Sequence, residues 1–263
     1  MRLYKMSFPV YVISLPRSVR RRERCFLLLS QFGLDFSFFD AIDGNNLTYD
    51  NISSIYDEKR NQKKFKRPLS FPELGCYISH INLWEKIANS DKPGAIVLED
   101  DVEFVSEFMD VLLYLSKCDI SNLLIKFNSL SNKIKTKNHV CTLPGGFSLI
   151  QPRIIPSRTT GYLIGKQAAA DLLNSRKKIF RPIDNDLKHW WEYNISTLVI
   201  NPSIVYQFSD INSRSSIEES RKQKKSSLSL IRFLNNMHYQ LLFNYEAWTH
   251  HRHHIATTTF PAL

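Results

Sequence analysis

A run of four apolar residues, Ala95-Ile96-Val97-Leu98, leads without a break into three carboxylates, Glu99-Asp100-Asp101. The run is short and rich in β-branched side chains, which predicts a buried strand rather than a helix. Three acids at the end of such a strand repel one another and resist desolvation, so a cation is expected to neutralise them. Carboxylate oxygens are hard ligands that suit Mg²⁺ or Mn²⁺. In extended chain Glu99 and Asp101 share a side while Asp100 points away. That makes Asp101, with Glu99 beside it, the metal candidate, and leaves Asp100 either to ligate directly or to take a supporting or capping role. A solvated acidic turn or helix start is the plain alternative.

Elements before and after this strand predict an α/β protein. Val10 to Leu15 reads as a strand stopped by Pro16, and Arg17 to Phe32 as an amphipathic helix with Ser18 at its cap and Gly33 at its stop. Leu34 to Phe39 reads as a second strand, and strand–helix–strand at this spacing opens a parallel sheet. Lys59 to Arg67, six basic residues around Phe65, reads as a surface helix or loop. A capped helix runs from Ser70 to about Ala88, with Pro72 in its first turn and Glu73 at the capping-box position. Further strands are expected at 123–127, 147–150 and 159–164, with helices at 106–116 and 166–176 and extended chain at 198–205. Residues 1–211 are expected to form one domain, and 212–263 a basic, partly helical appendage.

Length, charge and cysteines limit the classes. The 263 residues suffice for a substantial core, and the net charge of +10 favours anionic partners: nucleic acid, an anionic membrane surface or phosphorylated ligands. No run reaches the length of a membrane span, and the first residues lack the apolar stretch of a signal peptide. The chain therefore reads as soluble or peripheral, and cytosolic. Cys25, Cys76, Cys118 and Cys141 are scattered without a CxxC pair, and read as reduced thiols.

Several residue types can carry chemistry. The cluster Arg17, Arg20, Arg21, Arg22 and Arg24 opens the first helix. Arg17 and Arg20, nearest the strand end, are candidates for bidentate contact with phosphate, and Arg22 and Arg24 read as a solvated face. Ligands of open α/β sheets sit beyond the carboxyl ends of strands, which favours Ser14, Leu15 and Arg17 as ligand contacts. His80, after Ser79 on the capped helix, either donates to phosphate or ribose or is a packed structural side chain. Pro182-Ile183-Asp184-Asn185-Asp186 offers Asp184 and Asp186, on one side of extended chain, as a general base, or else as a helix cap.

In order, the blocks Val12-Ile13-Ser14-Leu15 with Arg17, Phe39-Asp40-Ala41-Ile42-Asp43-Gly44, Leu74-Gly75-Cys76-Tyr77-Ile78-Ser79-His80 with Trp84, and Val97-Leu98-Glu99-Asp100-Asp101 resemble glycosyltransferase family 25, the bacterial lipooligosaccharide galactosyltransferases. The resemblance spans residues 9–105, with a looser continuation through 161–164 and 182–184. It implies a GT-A-like fold with a mostly parallel, mixed sheet, a UDP-sugar donor and a D-x-D-type metal site, here Glu99-Asp100-Asp101 with Glu in first place. It also implies that Asp40 or Asp43 faces the nucleoside, Asp40 being preferred over Asp43, and that Asp184 stands at the family's P-x-D acid. Nucleotide-sugar contacts are thus expected from Ser14, Leu15, Arg17, Arg20, Asp40, Ser79, His80, Glu99 and Asp100.

The combined expectation is an inverting hexosyltransferase that uses Mn²⁺ or Mg²⁺ to move galactose from UDP-galactose onto a lipooligosaccharide acceptor. It would work in the cytoplasm, peripheral on the inner face of the inner membrane, where the basic C-terminal segment and the 250–254 His/Arg run meet anionic lipid, with no nucleic-acid partner. The rivals are a metal-dependent phosphohydrolase and a non-enzymatic nucleic-acid- or membrane-binding protein.

Overall fold

The computed structural model describes residues 6–128, 136–208, 229–251 and 260. Eight strands form one mixed sheet: β1 Val10–Ser14, β2 Ser37–Asp40, β3 Gly94–Glu99, β5 Leu123–Lys126, β6 Thr136–Thr142, β7 Ser148–Pro152, β8 Gly161–Gly165 and β9 Ser196–Asn201, in the order β2-β1-β3-β8-β5-β9-β7-β6. Pairing is parallel at β1–β2, β1–β3 and β5–β9, and antiparallel where β8 sits between β3 and β5 and where β7 meets β9 and β6. The parallel block at one edge is the part that positions the cleft. Two short strands, β4 Val102–Phe104 and β10 Val205–Gln207, pair antiparallel as a separate ribbon.

The helices are α1 Val19–Gln31, α2 Tyr49–Ile55, α3 Glu58–Lys64, α4 Phe71–Ala88, α5 Phe108–Leu115, α6 Lys166–Ser175, α7 Ile183–Asp186 and α8 Ser229–His251. They cover both faces of the sheet because the central strands are apolar on both sides. Along β3, Ile96 and Leu98 join the core under α1 and α5 with Cys25, Leu29, Phe108 and Leu112. Ala95 and Val97, pointing the other way, join the core under α4 and α6 with Leu74, Trp84, Ala168 and Leu172. All four β3 side chains are completely buried, so the strand is locked in register before it reaches its acids.

The basic stretch 59–67 becomes α3 and its exit. Phe65 is buried there against Tyr239 of α8, with ring centroids 5.4 Å apart. Tyr239, Phe243 and Ala247 form the inward face of α8, and Phe243 also packs on His189 and Trp191. Residues 212–228 and 252–254 of the expected appendage lie outside the described residues. Among the described residues no helix is long and apolar enough to cross a membrane. The four cysteines are free thiols.

Candidate active site

A cavity of about 410 Å³ opens at the carboxyl ends of β1 and β3, where parallel-strand architecture places ligands. Its walls come from the end of β1, the start of α1, the 41–44 turn, the first half of α4, the acidic turn after β3, the 157–160 loop, Pro182–Asp184 and Gln207. Of the residues singled out from sequence, Ser14, Leu15, Ser79, His80, Glu99, Asp100, Asp101 and Asp184 line this one space, although they are far apart in the chain.

The three acids divide differently from the alternation argument. β3 ends at Glu99, so Asp100 and Asp101 lie in a turn where period-two geometry no longer applies, and all three border the cavity. Asp100 Oδ2 accepts from Ser14 Oγ at 2.7 Å and Oδ1 from Arg21 Nη1 at 3.1 Å. Asp100 therefore ties the ends of β1, α1 and β3 together. Asp101 Oδ2 accepts from Gln207 Nε2 at 2.8 Å, while its Oδ1 is buried with no hydrogen-bond partner among the described residues. Glu99 Oε1 accepts from Thr159 Oγ1 at 2.5 Å. Burial, then the charge of Asp101, pushes the Glu99 carboxyl up to about 8, and burial also raises Asp101.

That arrangement fits a divalent cation. A buried carboxylate oxygen without a donor, next to a second carboxyl whose ionisation is suppressed, is a hard-oxygen donor set short of positive charge. Asp101 and Glu99 are the residues that would hold the ion.

The arginines are sorted by helical phase. Arg20 is exposed and does not line the cavity, because α1 starts at Val19 and turns Arg21 toward Asp100 instead. Arg17 is also outside the lining and pairs with Asp43. Arg22 and Arg24 are not a solvated face: Arg22 Nη2 donates to Ser14 O at 2.8 Å and Arg24 Nη1 to Val102 O at 2.7 Å. Asp40, at the end of β2, is exposed, paired with Arg22 and outside the cavity, whereas Asp43 lines it. The preference for Asp40 over Asp43 is thus reversed by position: the chain turns inward only after β2 ends.

Asp184 and Asp186 also part company. The segment is not extended but forms the helical turn α7, in which residues two apart point to nearly opposite sides. Asp184 faces the cavity. Asp186 is fully buried away from it, accepting from Arg176 Nε at 2.8 Å and Tyr193 Oη at 2.6 Å, and from the Tyr77 hydroxyl. Arg181 Nε lies 2.9 Å from Asp186 Oδ1, an ion contact too bent to be a hydrogen bond. Burial alone would raise the Asp186 carboxyl, but Arg181 and Arg176 outweigh it and hold it below the usual range. Such a locked carboxylate is structural and has no access to a substrate proton.

Ser79 likewise serves packing. Its hydroxyl donates to Gly75 O at 2.7 Å and accepts from Ile42 N at 2.8 Å, which pins the 41–44 turn to α4. Gly75 makes that approach possible, since a Cβ there would lie 2.6 Å from Gly44 N.

Sequence reasoning missed Arg158, Thr159 and Gln207 as wall residues. Arg158 is exposed, has a left-handed φ of 70° and borders the cavity. Its loop is held from beneath by Lys126, whose Nζ donates to Pro156 O at 2.5 Å and Arg158 O at 2.6 Å, and by Asn128 Nδ2 to Ser157 O at 3.0 Å. Burial lowers Lys126 to about 7. No local pattern marks these residues, because only the fold brings β5, the 157–160 loop and β10 to one edge.

The geometry defines an α/β protein with a carboxylate-rich, arginine-flanked cleft at the carboxyl edge of its parallel strands. Residues 7–187 match the family described as glycosyltransferase family 25 (LPS biosynthesis protein), and the chain belongs to that family. It is 32% identical over 177 residues to procollagen galactosyltransferase 1-B of Xenopus laevis, a match that covers 65% of this chain and 29% of that protein. It is 35% identical over 102 residues to a glycosyltransferase 25 family member of Aedes aegypti, covering 38% of this chain and 17% of that one. The chain thus spans less than a third of the length of these curated relatives. A looser likeness, TM-score 0.37 at 8% identity over 94% of this chain and 64% of the other, links it to the crystal structure of the glycosyltransferase GlyE of Streptococcus pneumoniae.

Proposed function

We propose that this protein is a metal-dependent glycosyltransferase that moves a hexose, galactose from UDP-galactose, with inversion onto a lipooligosaccharide sugar. The observation that carries the reading is the acidic turn. Asp101 has a buried oxygen with no donor among the described residues and Glu99 resists ionisation, so the acidic turn is short of a neutralising charge. Membership of glycosyltransferase family 25 and the galactosyltransferase names of relatives support the reaction class and the sugar. The LPS-biosynthesis description of the family supports the acceptor.

Each residue then has a task. Asp101 and Glu99 would hold Mn²⁺ or Mg²⁺, which would supply Lewis-acid neutralisation of negative charge on a bound diphosphate. Arg21 and Arg158 border the same space and offer guanidinium donors to that diphosphate. Asp43 and Ser14 stand at the nucleoside end. Asp184, turned into the cleft by α7, takes the proton of the acceptor hydroxyl. An outward face on α8 supports a lipid-borne acceptor: Phe233, Leu234, Met237, Leu241, Tyr245 and Trp248 are exposed on it. Residues 221–263 carry six basic side chains against one acid, Glu246, which suits an anionic bilayer.

The test is a donor panel of UDP-sugars with Mn²⁺ or EDTA, read as UDP release, beside the thermal shift that UDP with Mn²⁺ produces. UDP-galactose should be turned over with metal only, and Asp101→Ala should lose the metal-dependent part of the shift. A protein that neither responds to UDP with Mn²⁺ nor releases UDP sinks the proposal.

A further inference from the structure

His80 is completely enclosed by the fold yet borders the cleft. Its protonation can be worked out from its neighbours. Trp84 Nε1–H is a donor only, and it donates to Tyr162 Oη at 2.9 Å. Tyr162 is fully buried, and its own proton needs an acceptor. His80 Nδ1, 2.7 Å away, is the acceptor available to it. The chain of donors therefore runs Trp84 to Tyr162 to His80, and it leaves the imidazole proton on Nε2. With Nδ1 accepting, the imidazole carries its single proton on Nε2. Nε2 is buried without a partner among the described residues.

A ring nitrogen of His80 lies within 4.8 Å of a Glu99 carboxylate oxygen and of Cys76 Sγ. Cys, His and carboxylate together suggest a zinc-type site. The proton order argues against it, because Nδ1 already accepts from Tyr162 and Nε2 carries the hydrogen. What remains is an unpartnered Nε2–H donor on a ring that borders the cleft in one cluster with the Glu99 carboxyl. A hydroxyl both accepts and donates, so it is the group that can satisfy both.

We propose that His80 Nε2–H and the Glu99 carboxylate clamp one hydroxyl of the nucleotide-sugar donor, and that Trp84 and Tyr162 serve to fix the imidazole tautomer that makes this possible. The inference rests on the donor reading above and names what this part of the cleft recognises. The hydroxyl belongs to the transferred hexose or to the ribose.

Two measurements test it. In the ligand-free protein, ¹⁵N-histidine NMR should show His80 protonated at Nε2 with Nδ1 as an acceptor. A Nδ1–H tautomer overturns the clamp whatever the protein's activity. The second is a panel of UDP-hexoses lacking one hexose hydroxyl at a time, with 2′- and 3′-deoxyribose versions as a separate arm. One member should lose kcat/KM on the order of 10⁴–10⁵-fold, the penalty of a hydroxyl-binding site left unpaired. His80→Leu should level that member with the parent donor, and His80→Gln, whose amide N–H takes the place of Nε2–H, should restore part of the discrimination. Tyr162→Phe, which keeps the ring but frees the tautomer, should weaken it. Discrimination unchanged in a folded His80→Leu protein that still binds UDP refutes the clamp. Absence of any UDP binding by the wild type refutes the donor reading instead, while the NMR result stands on its own.

Discussion

Replacing Glu99 by Gln should make the metal-free protein more stable, by an amount that grows with pH. Unfolded, this carboxyl ionises near its ordinary value of 4.5; folded, burial and Asp101 hold it at about 8. The folded state is therefore penalised once the unfolded chain can ionise. The penalty is absent below the unfolded value, rises through the interval between the two, and levels off above about 8. The full interval corresponds to about 5 kcal/mol. Glu99 faces an open cleft and Asp101 can take up the proton in its place, so about 2–3 kcal/mol is the working figure. The Gln side chain still accepts from Thr159 Oγ1 but cannot ionise. Urea unfolding in EDTA, at about pH 4 and about pH 8.5, gives the two differences needed. Glu99→Gln should match wild type at the lower pH and exceed it at the higher. Mn²⁺ with UDP should then close the gap by stabilising wild type more than the variant. A variant no more stable than wild type at about pH 8.5 would refute the argument that this turn is short of a cation.

Three further outcomes follow from other parts of the molecule. Asp186→Asn leaves the buried guanidiniums of Arg176 and Arg181 with Glu192 as their remaining counter-charge, and should cost about 3 kcal/mol in urea unfolding. Because the Asp186 pKa is depressed, that loss should persist from neutral pH upward and fade only in acid, the reverse of Glu99. Gly75→Ala puts a methyl 2.6 Å from Gly44 N and 2.7 Å from Ile42 O, and should cost about 1–3 kcal/mol and raise the donor KM by shifting the 41–44 turn. On α8, Leu241→Glu with Trp248→Glu should abolish co-sedimentation with anionic vesicles while leaving turnover of a soluble acceptor intact. Unchanged sedimentation would dismiss this face as the lipid contact.

Local patterns carried most of the elements. Val10 to Leu15, Ala95 to Leu98 and the Pro72–Glu73 helix start were legible because burial, β-branching and capping act within a few residues, and the structure keeps them as β1, β3 and α4. Failures begin where a side chain's direction depends on an element's end. Period two assigned Asp100 away from Asp101, but β3 stops at Glu99. The same extended geometry paired Asp184 with Asp186, but a single helical turn separates them into a cleft residue and a core residue.

From sequence alone came the acidic turn, the arginine-rich helix start, the His80 block and their order, which together identify the family. Those features depend on covalent order and short-range propensity. Tertiary structure decided which arginine meets Asp100, which aspartate reaches the cleft, and that Trp84 and Tyr162 set the proton on His80. The physical reason is that these choices turn on helical phase and on contacts between residues far apart in the chain, such as Ser14 with Asp100 and His80 with Tyr162. Glu99-Asp100-Asp101 announces a charge problem in the sequence. Only the packed cleft shows that Asp101 keeps an oxygen without a donor among the described residues to answer it.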